Sequence, residues 1–133
     1  MKKFLFGSFL VVGLVVVTAC SGDTEATVGQ YTSVEYEAIY DAGTVAKGEI
    51  VKAKIGIKNV GDYPLVIANV KPACSCTVPS YDTDPVAPGE TAYINAEVDT
   101  DKTGKGIINK PITITANTRP STTKVTIKAT VID

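Results

Sequence analysis

From residue 33 onward the sequence repeats with a period of two. Val51, Ala53, Ile55 and Ile57 alternate with Lys52, Lys54, Gly56 and Lys58. Ala92, Ile94, Ala96 and Val98 alternate with Tyr93, Asn95, Glu97 and Asp99. Ile112, Ile114 and Ala116 alternate with Thr113, Thr115 and Asn117, and Val125, Ile127, Ala129 and Val131 with Lys124, Thr126, Lys128 and Thr130. Successive side chains of a strand point to opposite faces, so each run is a strand with one buried and one wet face. Weaker runs lie at 33–40 and 65–71, and a short one at 74–78. No segment carries a convincing 3.6-residue stripe. The breaks hold turn chemistry: "KGE" at 47–49, "NVGDYP" at 59–64, "PGE" at 88–90, "TGKG" at 103–106 and "NTRPST" at 117–122. About seven short strands in roughly 100 residues predict an all-β, antiparallel sandwich of immunoglobulin-like type. A small barrel is the competing architecture. The Cys…Trp…Cys pattern of antibody domains is absent, because the chain has no tryptophan. The predicted core is Val51, Ile55, Ile57, Ile94, Val98, Ile114, Val125 and Ile127.

The first 32 residues read differently. Lys2 and Lys3 precede "FLFGSFLVVGLVVVTA", an uncharged and mostly apolar run over residues 4–19. It is short for a bilayer-spanning helix, which needs about 20 apolar residues, and suits a signal peptide. Val17-Thr18-Ala19-Cys20 resembles a bacterial lipobox, in which cleavage precedes the cysteine. That resemblance implies acylation of Cys20, and several buried acyl chains hold a protein on a membrane. An uncleaved anchor and a signal peptide cut elsewhere are the alternatives. The expected organisation is a signal peptide over 1–19, a lipidated tether over 20–32 and a β-sandwich over 33–133. The tether is small and polar, with little to bury. In lipoprotein sorting, aspartate after the lipidated cysteine favours inner-membrane retention. Ser21 stands there, so outer-membrane delivery is expected. Asp23 and Glu25 resemble acidic stretches used for export to the cell surface, although a merely solvated tether accounts for them equally well.

Charge and composition remove several function classes. The full chain carries 13 basic and 14 acidic residues, and loss of Lys2 and Lys3 takes the formal charge from −1 to −3. That balance gives no electrostatic reason to expect a nucleic-acid partner. The chain has no histidine, which excludes a Ser-His-Asp triad or a Cys-His pair. No glycine-rich phosphate loop opens a helix. Asp82, Asp84, Asp99 and Asp101 match no calcium-loop spacing and read as solvated turn carboxylates. Asn59 reads as a residue that bonds the backbone of its own turn. No cofactor or resident metal is expected.

Two of the three cysteines stand one residue apart in "VKPACSCTVPS". In an extended strand, Cys74 and Cys76 would have Cα atoms roughly 6.5–7 Å apart, the upper limit for a disulfide. A bond between them therefore needs a bend, and Pro72 and Pro79 flank the pair. Four readings compete. In an oxidising compartment adjacent thiols tend to join as a local disulfide. A reduced, partly buried pair would pack as small hydrophobes. Two thiolates suit Cu(I), whereas zinc wants four ligands that this chain does not supply. Redox catalysis is the last, without the Cys-x-x-Cys spacing that usually carries it.

The order "DAGTVAKGE", "KNVGDYPLVI", "VKPACSCT", "VAPGE", "TGKG" and "ITITANT" resembles the domain-of-unknown-function family 1573, common in bacterial exported lipoproteins, over about residues 34–132. The resemblance implies an immunoglobulin-like sandwich similar to domains of chaperone and ciliary proteins. It implies no established activity. The family usually reads Cys-Gly-Cys-Thr at its cysteine pair, and Ser75 replaces that glycine here. A positive φ at this residue would strain serine. The sequence thus predicts a non-catalytic protein-interaction module tethered to the envelope, with an unnamed protein partner. The competing class is a thiol-redox or Cu(I)-handling protein built on Cys74 and Cys76. The anchor is directly testable: Cys20→Ala should abolish both lipid labelling and processing, and normal maturation of that variant to a lipid-labelled form would refute the assignment.

Overall fold

The computed structural model describes residues 28–133, so the expected signal peptide, Cys20 and most of the expected tether lie outside the described residues. The strands are Val34–Tyr36 (β1), Ile39–Ala46 (β2), Ile50–Asn59 (β3), Ile67–Pro72 (β4), Thr77–Tyr81 (β5), Thr91–Asp99 (β6), Gly106–Ala116 (β7) and Thr122–Ile132 (β8). A single 3₁₀ turn, Thr100–Lys102, follows β6. Two four-stranded sheets form, one ordered β1-β3-β6-β5 and the other β2-β8-β7-β4. All pairings are antiparallel except β2 with β8, which is parallel.

The period-two reading is realised on β3, β6, β7 and β8. All eight predicted core residues are buried, together with Ile112, Ala129 and Val131 from the same alternating faces. Leu65, Ile67, Val70 and Ile108 complete the layer between the sheets. They come from runs too short or interrupted to show a clean period.

Three details differ from the sequence expectation. The run at 33–40 is the end of one strand and the start of another, because the chain crosses between sheets at residues 37–38. The short run expected at 74–78 is displaced to Thr77–Tyr81, leaving both cysteines in the preceding turn. β7 begins at Gly106, inside what reads as a turn, and runs through Pro111. Thr126, opposite Pro111, sends its N–H to Ala38 O, so the facing groups of Pro111 point away from β8. The proline therefore removes no ladder bond.

Polar side chains fasten the loops at each end of the sandwich. Asn59 is fully buried. Its Nδ2 donates to Tyr63 O at 2.8 Å and Val86 O at 2.9 Å, and its Oδ1 accepts from Thr32 Oγ1 at 2.6 Å and Gly61 N at 3.2 Å. One amide thus fixes the chain entry, the β3–β4 loop and the β5–β6 loop. Thr32 reads as tether in the sequence, but the structure buries it, because its hydroxyl satisfies Asn59. Gly61 is required by close approach, since a Cβ there would overlap Thr32 Oγ1. Asn117 does the same work nearby, accepting from Val66 N and donating to Gln30 O and Pro64 O. At the opposite end Thr100 Oγ1 bonds Glu49 O and Gly48 N, and Lys47 Nζ donates to the carbonyls of Thr100, Asp101 and Thr103.

Two of the places where the chain changes sheets leave a strand edge uncovered. β1 pairs with β3 only over Ile57–Asn59, so the β3 edge beside Lys52 and Lys54 is open. Tyr40 reaches across it, its hydroxyl donating to Lys52 O at 3.5 Å. Lys52 and Lys54 on the outer face there discourage pairing, as lysines do on exposed edges. β4 pairs with β7 only from Ile112 onward, so β7 is open over Gly106–Lys110.

The two stabilising devices make separable predictions. Ile94→Ala should cost about 2–5 kcal/mol in chemical denaturation through the cavity it leaves. Asn59→Ala should cost about 1–3 kcal/mol, because two part-buried carbonyls and a threonine hydroxyl lose their partner. A loss below about 1 kcal/mol for Asn59→Ala would show that the amide is dispensable.

Candidate functional site

Cys74 and Cys76 lie in the connection that carries the chain from β4 in one sheet to β5 in the other. Pro72 ends β4, and the backbone turns at Cys74–Thr77 with Thr77 N donating to Cys74 O at 3.4 Å. The turn brings the two Cα atoms to 5.3 Å, inside disulfide range, and the sulfurs are joined. Ser75 meets no conformational penalty, because among the described residues no non-glycine residue has positive φ.

The turn is fastened to both sheets. Ala73 N donates to Pro111 O of β7 at 3.1 Å, and Asp99 N at the end of β6 donates to Cys76 O at 2.8 Å. Thr77 Oγ1 lies 3.8 Å from both sulfurs. The two sulfurs differ in access. Cys76 is 4% exposed, whereas Cys74 is half-buried. An external thiol would therefore meet the Cys74 sulfur and would have to expel Cys76 as a thiolate. The bonds to both sheets and the burial of Cys76 hold the turn in place.

The aspartates considered for calcium do not converge. Asp82 and Asp84 follow β5, whereas Asp99 ends and Asp101 follows the antiparallel neighbour β6, so the two pairs sit at opposite ends of the sandwich. Asp99 caps the 3₁₀ turn by accepting from Asp101 N and pairs with Lys102. Among the described residues no three acidic or thiol groups assemble as a metal site. Asn59 bonds its own turn, as its sequence context predicts, and two further segments that the sequence does not reveal. Lys110 escapes sequence reasoning altogether. It stands opposite buried Ile127 and so takes the inward face of β7 at a position where an alternating strand should place an apolar residue.

The described surface carries small notches. One, of about 200 Å³, is lined by Glu37, Tyr40, Lys54, Ile55 and Gly56 beside the open β3 edge. Lys54 Nζ sits 4.1 Å above the Tyr93 ring, which flattens both side chains against the outer sheet face.

A ring of so few residues barely restricts the unfolded chain, so the bond should add little to global stability. In the native protein, alkylation without reductant should label neither Cys74 nor Cys76. The double variant Cys74→Ser, Cys76→Ser should unfold within about 2 kcal/mol of the parent. Stoichiometric labelling of both thiols without reductant would show the pair to be reduced.

Comparison with known proteins places the domain. A protein of unknown function from Porphyromonas gingivalis W83 superposes with a TM-score of 0.67 at 27% identity, covering 78% of this chain and 49% of that one. The ASH/PapD-like domain 7 of human CEP192 superposes at 0.57 with 13% identity, covering 96% of this chain and 99% of that one. The secreted serine protease VesC of Vibrio cholerae matches at 0.59 with 13% identity, over 77% of this chain and 24% of that one. The last two likenesses are of fold alone, and the PapD-like neighbour supports an immunoglobulin-like β-sandwich. This chain spans about half or less of the Porphyromonas and Vibrio proteins. No curated protein matches the sequence. The sequence profile described as "Protein of unknown function (DUF1573)" matches residues 33–131, nearly the whole folded domain, and the chain belongs to that family.

Proposed function

We propose that this protein is a non-catalytic protein-interaction module held on a membrane of the cell envelope by a lipidated Cys20. The observation that carries the reading is where the polar side chains are used. Asn59, Asn117, Thr100 and Lys47 are each committed to main-chain groups of the loops, making a fixed scaffold. The described surface then offers strand edges and single exposed side chains, which are the elements of peptide and protein recognition. The tether at 20–32 and the lipobox-like Val17-Thr18-Ala19-Cys20 support attachment to the outer membrane, through acyl chains and not through a membrane-spanning helix. Nucleic acid is not a partner in this reading, and no cofactor takes part.

The sulfur pair supports a second reading, thiol exchange or Cu(I) handling at Cys74 and Cys76, because the half-buried Cys74 lies in a surface turn. One experiment separates the two. Chemical cross-linking of the full-length chain in its own envelope should recover a specific protein adduct. The Cys74→Ser, Cys76→Ser variant should give the same adduct at an undiminished yield. Its loss in a variant that remains folded would transfer the function to the thiols, and absence of any specific adduct from the parent protein would remove the interaction reading.

A further inference from the structure

We propose that the segment Gly106–Lys110 of β7 is a docking edge for an extended, acidic segment of a partner protein. The proposal rests on the interaction-module reading and deepens it by naming the surface and the chemistry of what binds there.

The edge follows from backbone parity. Thr126 N donates to Ala38 O on the β2 side, so Pro111 opposite it turns its backbone groups away from β8, and Pro111 O accepts from Ala73 N. The β7–β8 register is continuous from Gly106 to Thr115. Ile107 and Asn109 share the parity of Pro111 and therefore also direct their N–H and C=O away from β8. β4 would cover them if it continued, but its pairing stops at Pro72–Ile112 and the chain leaves the sheet through the disulfide turn. Two donors and two acceptors are left along an edge of roughly 17 Å, about five residues. A single extended segment added there would continue the line of β4.

The side chains decide which segment fits. Ile107 is 67% exposed on the outer face and offers an apolar contact. Lys110 occupies the inward face and makes no ion pair among the described residues. Lys71, the next-to-last residue of β4, is exposed beside the same edge. An inward-pointing lysine repels apolar strands, which would have to bury its ammonium without a partner. A strand with a carboxylate facing Lys110 has no such penalty, so the same residue that blocks aggregation selects an acidic partner. The open β3 edge lacks this character: Tyr40 roofs it, Lys54 lies over Tyr93, and Lys52 faces Glu97 across the strand pair.

Amide hydrogen exchange of the isotope-labelled full chain in detergent tests the proposal, with a synthetic peptide alternating valine and glutamate as the probe. A peptide with lysine in place of glutamate is the control. The Ile107 and Asn109 amides should exchange faster than those of Ile108 and Lys110, and the acidic peptide should slow them by about tenfold or more. The lysine peptide should not. Asn109→Pro removes an N–H that bonds nothing in the fold, so this variant should keep its spectrum elsewhere and lose the slowing at Ile107. Lys110→Glu should reverse the preference between the two peptides. No slowing at about millimolar acidic peptide overturns the proposal. So does slowing confined to another edge, which leaves the module reading intact. Peptide-independent slowing that grows with protein concentration makes a second copy of this chain the occupant and equally overturns it.

Discussion

The two sheets are held by one shared apolar layer, and the remaining features follow from closing it. Ile94, Val98, Ile112, Val125 and Ile127 have essentially no exposure. Each such side chain is stabilised by about 1.5–3 kcal/mol on burial. A layer between two sheets has open ends, however, and the loops that cross them carry backbone groups that water can no longer reach. Those groups must be bonded. Asn59 and Asn117 serve that need at one end, and Thr100 with Lys47 at the other. Among the described residues no buried side-chain polar atom is left without a partner. The apolar layer and its polar closures are thus one structure, and weakening either exposes the other.

Sharing a layer also forces the chain to pass between sheets. At the first passage, β1 and β2 run in one direction on opposite sheets, which is why β2 meets β8 in parallel. Further along, β4 gives way to β5 through Cys74–Cys76. Pro72 and the sulfur bridge fix a bend where a straight strand would have carried on along β7. The disulfide turn and the open β7 edge are therefore two consequences of the same departure. The β1–β2 passage is roofed by Tyr40, and the β4–β5 passage has only Lys110 and Pro111 beside it. The two passages thus leave one edge roofed and one open.

The likeness to the PapD-like domain of CEP192 and to part of VesC shows how widely this sandwich is used. Fold alone transfers no activity between such proteins. The functional argument rests on this chain's own residues: the committed polar groups, the joined cysteines and the inward lysine.

The amino-acid sequence determined the strand faces. Period-two alternation needs only the local geometry of an extended chain, so Val51, Ile55, Ile94, Val98, Val125 and Ile127 are legible as core from their spacing. Turns at Gly48 and Gly89 are legible for a similar local reason, since both residues take positive φ. Alternation says which side of a strand is buried but not which strand lies beside it. The parallel β2–β8 pairing, the division of residues 33–40 between two sheets and the early start of β7 were decided only in the tertiary structure. The same holds for the candidate sites. Thr32 and Asn59 meet across 27 residues, and nothing local to either predicts it. Cys74 and Cys76 announce themselves by proximity, yet their place at a sheet crossing depends on Pro111 and Asp99, far along the chain. Lys110 is an ordinary strand lysine in the sequence. It becomes informative because β8 fixes its face and β4 stops short of it, and both are long-range pairings that a local pattern does not encode.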